Sequence, residues 1–279
     1  MRAPRWAGTL RLRDRAADYT YVAARQVAGA LRPRRPVPVG PGGHDPVVLL
    51  PGVYETWQLL APVATALARA GHPVHAVPRL GYNRRPFAEA ADRTAAFLVE
   101  ADLHDVVLVA HSKGGLVGKR VMLSTAGTRV SGMVAVATPF NGSSYARYLL
   151  GRTLRAFSPR DAALLALAAE RDVDARITAV YPRFDPHIPE SGRLEGGRNV
   201  ELPLAGHFLP LGDPSLVEVV ARGGGGGGPG GPPPPAPPPP PPPGGPPRPT
   251  PAPGGPRVGV WWGGGAVWRA GAPSPTPRG

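Results

Sequence analysis

The stretch Val107-Leu108-Val109-Ala110-His111-Ser112-Lys113-Gly114-Gly115 decides how this chain is read. An apolar, β-branched run ends in a serine, and small residues stand two positions to either side of it. A helix-forming segment, 116–123, follows at once. This is the layout of a sharp strand-to-helix turn that presents a serine hydroxyl at the top of a sheet, a nucleophile elbow. The turn holds the serine in a strained backbone conformation, so its neighbours must be small to let strand and helix come close. The usual pattern is Gly-x-Ser-x-Gly; here Ala110 takes the first glycine position, a methyl-sized departure.

A serine on such a turn is expected to be followed along the chain by an acid and then a histidine. Only His187 and His207 lie after Ser112. The acid is wanted just past a strand, and the β-branched and aromatic run 177–181 reads as one. Asp185 follows it, in Phe184-Asp185-Pro186-His187-Ile188-Pro189. His187 is too near Asp185 in sequence to come from a separate loop, whereas His207 follows the next strand-like run, 199–202. Ser112, Asp185 and His207 are therefore the candidate triad. Asp185 before a proline also fits a turn-forming Asx residue, and His207 fits a plain loop histidine. An oxyanion hole would take one backbone N–H from Lys113, the residue after the serine. Val53, in the loop Pro51-Gly52-Val53-Tyr54 after the strand 47–50, is the best second donor.

Residues 46–220 resemble the α/β-hydrolase superfamily, and within it small bacterial lipases and esterases with an Ala-His-Ser-x-Gly elbow. The similarity rests on Leu49-Leu50-Pro51-Gly52-Val53, Ala110-His111-Ser112-Lys113-Gly114-Gly115, Ala137-Thr138-Pro139-Phe140-Asn141-Gly142-Ser143, Asp185-Pro186-His187-Ile188-Pro189 and Gly206-His207. The Thr-Pro-x-x-Gly-Ser run is similar to one in triacylglycerol lipases. Pro51 departs from the histidine often found before the oxyanion glycine. The resemblance implies an α/β fold with a mostly parallel sheet flanked by helices. It further implies a carboxylic ester hydrolase acting through an acyl-enzyme, with no cofactor and no metal. A serine acyltransferase or thioesterase would use the same triad. A non-catalytic membrane- or partner-binding protein is the reading of a different class.

Outside the elbow the sequence alternates strand and helix, as a parallel α/β sheet requires. Helices are expected at 57–70, 88–100 and 161–171, strands at 74–77 and 132–138, and a last helix starting at 216. Between Thr138 and Ile177 there is room for about two short helices, so the site should have a minimal cap or none. Segments 54–57 and 145–154 are the expected substrate-facing ones, with Trp57 packed in the core.

The ends differ from this body in composition. Residues 223–279 open on six consecutive glycines and continue into polyproline, with Trp261, Trp262 and Trp268 as their only large apolar residues. Such a segment cannot bury enough surface to offset its ordering entropy and is expected to be disordered. The same composition would arise from GC-rich DNA read out of frame, and only Lys113 and Lys119 of the 32 basic residues are lysines. Three parts follow: a basic N-terminal segment 1–40, an α/β-hydrolase domain 41–222, and a Gly/Pro-rich tail 223–279.

The net charge of +13 is concentrated at the ends, with nine arginines and two aspartates in 1–40. The middle carries 19 basic and 17 acidic residues. No basic stripe interleaved with aromatics marks the core, so a nucleic-acid partner is not expected. Residues 14–31 have Tyr19, Val22, Val27 and Leu31 near helical spacing among arginines. This helix is expected to pack on the domain; a basic amphipathic helix can also lie on an anionic membrane, which makes residues 1–35 the place for any peripheral contact. No apolar run follows the first arginines as in a secretory signal, and none reaches the about 18 residues of a membrane span, so a cytoplasmic location is expected. There are no cysteines, hence no disulfides and no thiolate metal site.

Overall fold

Strands buried on both faces must be largely apolar, and β1 (Val47–Leu50) and β3 (Val106–His111) are, with every residue buried and His111 at the end of β3 the one polar member. The computed structural model describes residues 5–31, 37–40, 42–148 and 152–223. From residue 224 on, the tail expected to be disordered lies outside the described residues. Six strands form one parallel sheet in the order β2-β1-β3-β4-β5-β6, with β2 at Val74–Ala76, β4 at Val130–Val136, β5 at Ile177–Phe184 and β6 at Arg198–Ala205.

Alternate strand residues face two separate apolar layers. Val48, Leu50, Leu108, Ala110, Met133 and Ala179 pack with α3 (Phe87–Glu100), α4 (Lys113–Met122) and α6 (Ala162–Ala169). Val47, Leu49, Val107, Val109, Val134 and Val180 pack with α2 (Ala61–Arg69) and α7 (Ser215–Gly223), and with Val22 of α1 (Arg5–Leu31). Helices thus cover both faces, and the chain has the α/β-hydrolase architecture. α1 begins nine residues before the expected start at 14, because Arg, Leu and Ala between 5 and 13 are good helix formers. The expected helix 57–70 starts as a 3-10 turn, Trp57–Leu60, before α2, with Pro62 tolerated in the first helical turn. β6 runs further than expected, through Pro203, which an edge strand can accept.

Among the described residues between β4 and β5 lie the short α5 (Arg152–Arg155), α6 and two 3-10 turns, Ser144–Tyr148 and Asp174–Arg176. No cap domain stands over the sheet among the described residues. The strand order reverses between β1 and β3, and chains leaving their carboxyl ends diverge to opposite sides, opening a crevice there. Leu50 pairs with Ala110, so the Pro51-Gly52-Val53 loop and Ser112 emerge side by side.

Candidate active site

Ser112 has φ 50° and ψ −120°, a conformation costly for any residue with a Cβ. Its N–H donates to the Val136 carbonyl (2.8 Å), which locks the turn to β4. The glycines after it are required by contact. A Cβ on Gly114 would fall on the Leu50 carbonyl, and one on Gly115 on the Thr138 side chain. Ala110, fully buried, fits the first small position.

The structure brings Ser112 and His207 to one cleft of about 430 Å³, with Asp185 buried behind His207. Ser112 and His207 line it with Val53, Tyr54, Tyr145, Leu154, Phe157 and Phe208. Behind His207, its Nδ1 lies 2.8 Å from Asp185 Oδ2, and both side chains are buried. Asp185 Oδ1 accepts the His187 N–H (2.7 Å) and the Ile188 N–H (3.1 Å). The Asx turn and the acid role, two readings of Asp185 in sequence, thus use different oxygens. Burial alone would lift the Asp185 carboxyl, but the His207 imidazole and the His187 N–H hold it below its ordinary value. Burial disfavours a charged His207, yet Asp185, Glu55 and Asp18 outweigh it and raise the imidazole pKa.

His187, set aside in sequence as a base, lies in the site all the same. Its ring stacks on His207 (4.5 Å between centroids, 18° between planes), and its Nε2 is 3.0 Å from the Tyr19 hydroxyl. Burial, then the neighbouring His207, push its pKa down to about 4. The imidazole hydrogen-bonded to the Asp185 carboxylate is that of His207.

The two expected oxyanion donors lie on the segments that leave the paired ends of β1 and β3. Lys113 opens α4, where an N–H has no intrahelical acceptor. Among the described residues the Val53 N–H donates to no protein acceptor. Gly52 N–H bonds the Glu55 carboxylate at 2.7 Å, and a Cβ on Gly52 would lie 2.5 Å from that same carboxylate. Glu55 also meets His111 Nδ1 at 2.9 Å, and His111 Nε2 reaches the His207 carbonyl at 3.1 Å. A buried Glu–His pair therefore links the 51–54 loop, the elbow and the His207 loop.

Sequence reasoning missed Glu55; the signal was an acid three residues after the turn glycine. The Lys113 ammonium has a structural part that its place after the serine does not reveal. The Lys113 Nζ is buried and donates to the Asn83 carbonyl (2.6 Å) and to the Arg85 carbonyl, while Asn83 Nδ2 holds the Pro51 carbonyl at 2.7 Å. Burial pushes the Lys113 pKa down to about 8. Asp18, on α1, was likewise unseen: it is fully buried, and its carboxylate accepts the N–H groups of His207, Phe208 and Leu209.

No protein-family model matches this sequence, and no curated protein does. Solved structures do resemble the fold. Lipase BlEst2 of Bacillus licheniformis in its mature form superposes with a TM-score of 0.55 at 13% identity, covering 67% of this chain and 96% of that one. Carboxylesterase CesB of Bacillus subtilis gives 0.46 at 15% identity, over 76% and 99%. A hydrolase from Oleispira antarctica gives 0.46 at 16%, over 66% and 93%. At these identities the likeness shows the fold alone: the chain has the α/β-hydrolase fold, and what it does has to be argued from its own residues.

Proposed function

We propose that the protein is a serine hydrolase that cleaves carboxylic esters. The observation that carries this reading is a strained Ser112 lining an apolar cleft together with a histidine paired with a buried carboxylate. In the first step His207 takes the Ser112 proton as Oγ attacks the ester carbonyl. Asp185 orients the imidazole and stabilises its cationic form. The N–H groups of Val53 and Lys113 stabilise the tetrahedral oxyanion, a contribution of about 3 kcal/mol per donor. The alcohol leaves with the proton from His207, and water then attacks the acyl-enzyme by the same route. These steps need no metal and no cofactor.

Val53, Leu154, Phe157 and Phe208 give the cleft an apolar lining suited to an acyl chain of a small-molecule or lipid ester. An acyltransferase or thioesterase would use the same groups and differ only in acceptor or leaving group. Nucleic acid is not among the proposed partners. Any peripheral membrane contact of residues 1–35 would use the exposed Leu12, Val27 and Leu31 of α1. Among the described residues no helix is long and apolar enough to cross a membrane.

A p-nitrophenyl ester series from short to long acyl chains, run beside Ser112→Ala and with a fluorophosphonate probe, tests the reading. Turnover and labelling that both vanish in Ser112→Ala are expected. Labelling that survives the substitution, or folded protein that turns over no ester or thioester, defeats it. An added alcohol that speeds release of the acyl group would favour the transferase.

A further inference from the structure

α1 reaches the site from 189 residues away in sequence. Asp18 Oδ2 accepts the His207 N–H at 2.9 Å, and Oδ1 accepts the N–H groups of Phe208 (2.7 Å) and Leu209 (2.9 Å). Three successive amides form a concave anion site, and here a carboxylate of the chain itself fills it. The approach is tight enough to dictate a neighbour: Gly206 has φ +131°, and a Cβ on it would lie 2.5 Å from Asp18 Oδ1. The segment then enters the 3-10 turn Leu209–Gly212, whose own N-cap residue, Phe208, has no side-chain acceptor to offer. No cation pairs with Asp18 among the described residues. The next residue of α1, Tyr19, places its hydroxyl 3.0 Å from His187 Nε2, and His187 stacks on His207. Two consecutive helix residues thus fix the loop and the ring beside it.

We propose that Asp18 is a positioning residue for the candidate base: its carboxylate holds the backbone at residues 206–209 so that the His207 imidazole meets Asp185 and opens onto the cleft with Ser112. This rests on the hydrolase reading given above. α1 is on this account a component of the active site. The groups facing His207 are the carboxylates of Asp185, Glu55 and Asp18 and the rings of His187 and His111. Removing one negative charge from that set leaves the imidazolium less stabilised.

The test uses the full chain with Asp18→Asn, which keeps the shape and one acceptor, beside Asp18→Ala. NMR titration of the His207 ring and the amide shifts of residues 207–209 are read together with ester kinetics. In Asp18→Asn the imidazole pKa should fall by more than about half a unit. The value of kcat should fall about tenfold or more with KM within about twofold. Added formate, which fits the vacated amide site, should restore part of kcat in Asp18→Ala. An unshifted titration, or a shifted one with unchanged kcat, overturns the proposal. So does an unfolded Asp18→Asn, which would make the carboxylate a structural cap. If the wild-type protein hydrolyses no ester, the hydrolase reading fails, while the titration and the amide shifts still judge whether Asp18 holds His207.

Discussion

Asp185 carries two jobs on two oxygens, and the division explains why neither reading of its sequence context excluded the other. The Asx turn orients the carboxyl, and the free oxygen then meets His207. Replacing Asp185 by Asn puts an amide against the imidazole and disturbs its tautomer, so kcat should fall by about three to four orders of magnitude. His207→Ala should cost at least as much, and His187→Ala less than about tenfold, because the His187 ring stacks on the candidate base and bonds the Tyr19 hydroxyl beside it. Steady-state kinetics on a soluble ester separate these, and a damaging His187→Ala with a benign His207→Ala would reverse the assignment. The same residues set the pH behaviour. With the His207 pKa raised, the acid limb of kcat/KM should lie above pH 6.5. For His187 the folded pKa is about 4 against 6.5 in the open chain. Between those values the unfolded chain binds a proton that the folded one refuses, so stability falls as pH drops through that window. The loss should be roughly 2 kcal/mol and should shrink in His187→Gln, measured by urea titration at pH 6.5 and about pH 4. Ser112, Asp185 and His207 were legible because each announces itself locally, by an elbow, a strand end or order along the chain. Glu55, Asp18 and the stacked His187 were not, since their partners are set by packing.

α4 shows the same split at the level of an element. Its start was legible as the elbow, and its glycines are explained by the Leu50 carbonyl, the Thr138 side chain and the Met133 sulfur, which a Cβ at each would strike. What the sequence hid is that both lysines of an arginine-dominated chain lie in this helix, and both are buried. A compact ammonium fits where a planar guanidinium does not. Lys113, at the amino end, binds the carbonyls of Asn83 and Arg85, and Asn83 in turn holds Pro51 beside the candidate oxyanion donor. Lys113→Met would leave those carbonyls unpaired. Stability should drop by about 1–3 kcal/mol and kcat by about tenfold, with loss of fluorophosphonate reactivity in step. Lys119, at the other end, pairs with Asp174 at 2.7 Å, both side chains nearly inaccessible. Asp174→Ala strands a buried ammonium, with an expected cost of about 3–5 kcal/mol in chemical denaturation. Its effect on kcat below the melting point should be under about twofold, since that end of the helix faces away from Ser112 by six residues of α4.

For the whole molecule, composition treated the two ends alike, as basic appendages to an α/β body. Alternation of strand and helix made that body legible, because a parallel sheet buried on both faces leaves an apolar run for each strand. The amino-terminal end proved harder to read. Its helical period was visible, but Asp18, a charged residue in a basic segment, reads as solvated until the fold places three amides around it. Val22 of the same helix belongs to the core layer under α2 and α7. The carboxyl end stands differently. Every residue of the candidate site precedes Leu209, and Val220 in α7 is the last buried apolar residue among those described. Residues 224–279 contain no acid, no histidine and no lysine. Truncation after Gly223, which keeps α7 whole, should therefore leave kcat on a soluble ester within about twofold, a barrier change of about 0.4 kcal/mol. Deleting residues 1–31 should instead remove both the core contact of Val22 and the carboxylate that holds the His207 loop. The deletion should lower the melting temperature and abolish turnover together. A carboxyl-terminal truncation that melts like the full chain yet turns over at least about tenfold more slowly would show that the tail reaches the cleft. An amino-terminal deletion with full activity would show that α1 is dispensable after all.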